Sequence, residues 1–447
     1  MRRVVTALLV VTVALVLADS AVVTLALPEI LLELDTTVGE VAWVLISFNL
    51  VLALVAVPTA WSLRVTSPRV ASAVGIAVFA GASAWCAAAG TIEVLVAARC
   101  LQAVGGALAL LGCLELLVAS YGERRGVATW ITAGVVGTGL GPVLGGLLTE
   151  AISWQAIFVV QVPFAVLAVP AALTVAAPRE PPADRHRPAV RANLTLAVLS
   201  AALVAASFLL VLLLVEGWRR SPATAAVTVS VVPLAALAAR PLARALRTPP
   251  TVEVAVGCFL VAGGLVGLAV PPSAHLAWTV APQVLVGLGL GMTVDRLTER
   301  ALEQRLPRAR HAAWTIGARH AGIVLGLALL TPVFTADLRE AEAPAQEAVT
   351  ALVIDAPLRP EDKVAVAEAL GRQLQAERGQ VPDLAPAFAS LDLDPAERPA
   401  ADDLERALDD QLERAATAAF RDSFLLGAGL ALLAMLTVAL PGRRRHP

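Results

Sequence analysis

Twelve long apolar runs constrain this 447-residue chain more than any other feature: roughly 4–27, 41–63, 70–90, 93–118, 127–149, 155–177, 194–215, 222–239, 252–270, 276–294, 312–335 and 422–441. About 20 apolar residues in a helix cross a bilayer core, and lipid leaves every backbone N–H and C=O to be satisfied within the segment. The runs therefore predict an all-α membrane protein with about twelve transmembrane helices. Only 16% of residues are charged, against roughly 25% in soluble chains. The eighth run is the weakest, being short and interrupted by Pro233. Met-Arg-Arg followed by Val4–Ala18 has the outline of a secretory leader. The apolar run continues past Asp19 to about Leu27, however, and reads as an uncleaved first span.

Charge sets an expected orientation. With the N-terminus inside, alternate connections carry Arg2, Arg3, Arg64, Arg69, Arg124, Arg125, Arg179, Arg185, Arg187, Arg191, Arg240, Arg244, Arg247, Arg296, Arg300, Arg305, Arg308, Arg310 and Arg443–Arg445. The short outer loops carry Arg219 and Arg220 alone. Under the positive-inside rule this places both termini in the cytoplasm of a plasma-membrane protein. Trp43, Trp154, Trp218 and Trp278 fall near outer ends, and Trp61, Trp130 and Trp314 near inner ends, as an aromatic belt requires. Residues 337–420 differ from the rest, with 19 acidic and 8 basic residues. Leu404, Leu408 and Leu412 repeat there at helical spacing. A small outer helical extension is expected, either a solvated spacer or a lid or docking surface for an envelope partner.

Within the fifth run, residues 132–146 read Thr-Ala-Gly-Val-Val-Gly-Thr-Gly-Leu-Gly-Pro-Val-Leu-Gly-Gly. Gly137, Gly141 and Gly145 share one helix face, where another backbone can approach closely. Pro142 lacks an N–H and invites a bend. Ordinary membrane packing explains such a face; so does a helix along which two halves rock. Ionisable residues inside spans are costly and are functional candidates. Asp19 lies in the outer half of span one, where apolar surroundings are expected to favour its protonated form. Arg99 and Arg319 could offset a buried carboxylate, and Glu115 is a second proton-site candidate. The alternative for all four is helix-to-helix ion pairing or a snorkelling side chain. Glu93, Glu150 and Asp295 fall at span ends, where interfacial solvation accounts for them. No P-loop, GxSxG, HExxH or paired CxxC occurs, which argues against a self-contained ATP-driven pump. Cys86, Cys100, Cys113 and Cys258 lie in apolar runs and read as small hydrophobes.

These residues resemble a family. Gly134–Gly146, including Gly134, Gly137, Gly141, Pro142, Gly145 and Gly146, is similar to the span-five antiporter motif of major facilitator superfamily drug:proton antiporters. Leu95–Gly106, with Arg99, Gln102 and Gly105, resembles that superfamily's span-four motif. Asp19–Pro28 resembles the span-one signature of the branch that usually has fourteen spans. Trp43 and Phe48 fit its second span, Trp154, Phe158 and Pro163 its sixth, and Arg319–Gly326 its penultimate one. The resemblance implies a major facilitator fold of two six-helix bundles around a central cavity, with the span-one acid and span-four Arg in proton coupling. It implies a division into a first bundle, 1–177; a cytoplasmic linker, 178–192; spans seven to eleven, 193–336; the acidic extension, 337–420; and a last span with a basic tail, 421–447. Three departures stand out. Leu63 replaces the Asp of the motif after span two, where both glycines are also lost. A central pair of spans is missing, and Ala103 and Thr24 replace Gly and Asn.

The implied function is proton-driven export of a small amphipathic, drug-like compound by a monomer in contact with membrane lipids. No cofactor, metal or nucleic acid is implied, since the proton gradient supplies the energy. Asp19, Arg99, Gln102, Glu115 and Arg319 are the candidate coupling residues. Two other functions fit the same sequence: export of a lipid or envelope precursor handed to the extension, and a non-transporting sensor or scaffold.

Overall fold

The computed structural model describes residues 2–178, 187–245, 247–302, 305–376, 384–391, 394 and 396–439. Residues 179–186 of the expected linker and the basic tail 440–447 lie outside the described residues. Among those described, twelve helices are long and apolar enough to cross a membrane. Spans one to six are Arg3–Thr24, Gly39–Val65, Pro68–Ala87, Ile92–Tyr121, Glu123–Ala151 and Ala156–Thr174. Spans seven to eleven are Val190–Gly217, Pro222–Ala245, Pro250–Ala269, Ala277–Leu302 and Arg308–Asp337. The apolar helix Arg421–Ala439 is span twelve.

Local chemistry starts and stops these helices. Thr37 and Glu40 form a capping box at span two: the Thr37 hydroxyl accepts from the Glu40 N–H, and the Glu40 carboxylate accepts from the Thr37 N–H at 3.0 Å. Proline occupies the first turn of spans three, eight and nine, where its missing N–H costs nothing. Gly122, at φ 81°, makes the turn from span four to span five.

Span one packs against spans four, five and six; span three against four and six; span two against four. In the second half, span nine packs on ten and twelve, eight on ten, and seven on eleven and twelve. The halves meet chiefly where span two lies along span eleven and span five along span eight. At one end the Glu150 carboxylate accepts the Ala223 N–H at 2.6 Å. At the Arg-rich end Arg308 pairs with Glu115 at 3.1 Å.

The span-five glycines carry the contact with span one. A Cβ on Gly137 would lie 2.1 Å from the Ala14 carbonyl oxygen, one on Gly141 3.0 Å from that of Ala18, and one on Gly145 2.3 Å from that of Val22. Three successive turns of span one thus rest on bare backbone. Gly134 meets Leu17, and Gly146 faces the other half against the Pro222 oxygen and Ala226. The helix runs on through Pro142.

Several expectations are corrected. Span ten continues to Leu302, which makes Asp295 a buried mid-helix residue instead of an interfacial one. The helix of span eleven runs 48 residues, to Asp355. Hydropathy falls after Phe334, but the Ala/Glu-rich stretch that follows is still a strong helix former. Span eight reaches Ala245 in two pieces divided at Ser230. Trp154, Trp218 and Trp130 are buried rather than belted, and their indole N–H groups donate to Glu33, Thr417 and the Leu110 oxygen. The extension has its own small core, including Val366, Leu370, Leu404 and Leu408. It is held over the end opposite the arginines by Arg219 to Asp409 and Arg220 to Glu413.

Gly137→Ala or Gly145→Ala should force spans one and five apart and cost about 1–3 kcal/mol. The readout is the thermal unfolding midpoint in detergent. Gly263→Ala is the control, because a Cβ there meets nothing within 4 Å; it should be neutral or slightly stabilising.

Candidate functional site

Asp19, Arg99 and Gln102 come together at a fully buried point inside the first half. Span four carries Arg99 and Gln102 on successive turns, so both face span one. The Arg99 Nη1–H donates to Asp19 Oδ2 and, at 2.6 Å, to Gln102 Oε1. Arg99 Nε–H donates to the Val44 carbonyl of span two at 3.2 Å. The guanidinium carbon lies 4.3 Å from the Phe48 ring centre and 5.7 Å from that of Phe158, which adds cation–π contacts.

The second Asp19 oxygen accepts from two amides, Gln102 Nε2 and Gln161 Nε2, each at 3.1 Å. Gln102 also donates to Ser83 Oγ at 2.9 Å. Five helices thus supply the shell. The expected apolar surroundings of Asp19 are therefore corrected: two amide donors and the Arg99 counter-ion surround it. A buried ion pair is tolerable on such terms, since desolvation costs several kcal/mol per ion unless the remaining hydrogen bonds are met.

The other candidates lie elsewhere. Glu115 is not in this cluster; its partner is Arg308 of span eleven, which also reaches Glu123 at 3.4 Å. That takes the ion-pair alternative for Glu115 and makes it a bridge between the halves. Arg319 does not reach Asp19. It lines a cavity of about 30 Å³ between the halves, with Leu17, Trp130 and Gly134 on one side and Asp295 and His320 on the other. Its Nη2–H donates to Thr138 of span five at 3.1 Å, and the Thr138 hydroxyl donates to the Leu17 carbonyl.

Sequence reasoning missed Gln161, Asn49 and His320. Each was visible as a lone polar residue in an apolar run, the same signal that marked Asp19 and Arg99. Asn49 and His320 join the halves: His320 Nδ1 is 2.7 Å from Asn49 Oδ1, which also receives the Ser20 hydroxyl.

Residues 9–331 match the Major Facilitator Superfamily. The methylenomycin A resistance protein of Streptomyces coelicolor is 33% identical over 226 residues, 50% of this chain and 46% of that one. The multidrug resistance protein Stp of Mycobacterium tuberculosis is 31% identical over 159 residues, 34% of this chain and 29% of that one. The chain thus spans about half or less of the length of these curated relatives. A solved bacterial homolog of the human lysosomal transporter Spinster, inward-facing and unoccupied, superposes with a TM-score of 0.62 over 98% of both chains at 16% identity. The chain therefore belongs to the Major Facilitator Superfamily, with twelve helices among the described residues long and apolar enough to cross a membrane.

Proposed function

We propose that this transporter exports small amphipathic compounds across the plasma membrane in exchange for protons, with its Arg-rich end and both termini in the cytoplasm. The observation that carries this reading is Asp19, an ionisable group with no exposed surface, held by Arg99 and two amides. A proton arriving at Asp19 cancels the charge that holds Arg99 and leaves the buried guanidinium without its counter-ion, with the uncharged Gln102 and Val44 oxygens as acceptors. The cluster then favours a different arrangement of spans one and four. Another side of span one lies on the glycines of span five, and Gly146 of span five lies on span eight. Protonation can thereby bias how the halves meet. The drug-resistance names of the relatives support a drug-like cargo, and arginine clustering supports the orientation. The proton gradient supplies the energy, and the protein acts as a monomer.

In proteoliposomes with an imposed pH gradient, amphipathic cations, anions and neutral compounds should include at least one that triggers proton movement in the wild type. Asp19→Asn should reduce that movement by at least about 100-fold, and full coupling in the variant would exclude the assigned role. A second outcome concerns stability. Arg99→Gln alone strands a buried carboxylate and should cost about 3–5 kcal/mol. The Asp19→Asn/Arg99→Gln double variant should recover most of that loss in a thermal unfolding assay, whereas additive losses would show that the two side chains are not energetically paired.

A further inference from the structure

The cavity between the halves has two unlike walls. Leu17, Trp130, Ile131 and Val135 make an apolar one. The Trp130 N–H is already donated to the Leu110 oxygen at 3.0 Å, so its ring offers apolar surface alone. The facing wall, from spans ten and eleven, is rich in acceptors. The Thr298 hydroxyl donates to the Val294 oxygen at 2.8 Å, and the Thr315 hydroxyl has the His311 oxygen at 3.0 Å and Asn193 Oδ1 at 3.2 Å as acceptors, so both donor hydrogens are spent within the protein.

His320 completes this wall and is 3% exposed. Its Nδ1 faces Asn49 Oδ1 at 2.7 Å. The Asn49 amide nitrogen donates to the Leu45 oxygen at 2.8 Å, which fixes the amide so that its oxygen faces the ring. An amide oxygen accepts and does not donate, so Nδ1 carries the hydrogen and Nε2 of the neutral ring is a bare acceptor. Nε2 has no hydrogen-bond partner in the protein.

We infer that His320 Nε2 anchors a hydrogen-bond donor of the cargo, and that the cargo is an uncharged aromatic or alicyclic compound bearing a phenol or hydroxyl. This rests on the export reading. The Arg319 guanidinium and the Asp295 carboxylate line this wall together, so their opposite charges offset and the wall offers no net charge to select an ion of either sign. The apolar wall takes the body of the compound. A volume of about 30 Å³ is too small for such a molecule, so the site accepts it as the halves separate.

The test uses 7-hydroxycoumarin and 7-methoxycoumarin at pH 6, where the phenol is uncharged, with purified full-length protein in detergent and tryptophan-fluorescence quenching as readout. Wild type should bind the phenol about tenfold more tightly than the ether, as one hydrogen bond to an otherwise unmet acceptor provides. His320→Phe should bring the ratio close to one while ether binding persists. If that variant does not fold, His320→Gln, whose amide both donates and accepts, should narrow the ratio to under about threefold. Equal binding of the pair by wild type, binding of neither, or an unchanged ratio in the variants overturns the assignment. The measurement needs no proton gradient. Proton release without phenol preference therefore removes this site and leaves the exporter, whereas preference without proton release does the reverse.

Discussion

The first half of this molecule is organised around one buried ion pair. Arg99 and Asp19 have no exposed surface, and each would be untenable in an apolar helical bundle without the other. Their shell explains why neighbouring residues are polar where a membrane helix could have been wholly apolar. Gln102 and Gln161 complete the hydrogen bonding of the carboxylate, Ser83 holds Gln102, and Phe48 and Phe158 cover the guanidinium. Such a pair is a poor source of net stability compared with packed aliphatics. In the proposed function its value lies in having two states, charged and neutralised, with different preferred geometries.

A charge change is useful to a transporter only if it reaches the interface between the halves. In the proposed function span one provides the route, because its two sides do different work. One side bears Asp19; on another, the carbonyls of Ala14, Ala18 and Val22 rest on Gly137, Gly141 and Gly145. Backbone-on-backbone packing leaves no flexible side chain to absorb a shift, so a small displacement of span one must be passed on or resisted. Span five then meets span eight at Gly146 and Glu150. A parallel link runs from Ser20 through Asn49 to His320 of span eleven. At the opposite end, Glu115 and Arg308 bridge the same two halves.

The twelve spans were legible because the bilayer imposes a length and a composition that few other structures share. Asp19, Arg99 and Gln102 were legible as candidate coupling residues through the resemblance, and isolation in apolar runs independently marked the first two, but their contact with one another was not. Other features escaped for physical reasons. Hydropathy shows where lipid ends and not where a helix ends, so the long continuation of span eleven and the extra turns of span ten went unseen, and Asp295 was misplaced with them. Pairing across the halves depends on rotation of each helix about its own axis, which a single sequence does not encode locally. Glu115 therefore looked like a proton site, and Asn49 and His320 like background. The buried tryptophans were misread as belt residues because position along a span was known and the facing neighbour was not.

The central claim is that the charge on Asp19 sets how the two halves meet. Electron–electron resonance distances between spin labels at Leu32 and Trp278, both exposed and on different halves, test it without knowledge of the cargo. The account predicts that Asp19→Asn, which removes the charge and keeps the shape, shifts the distance distribution away from that of the wild type at one and the same pH. A variant whose distances coincide with those of the wild type would contradict it.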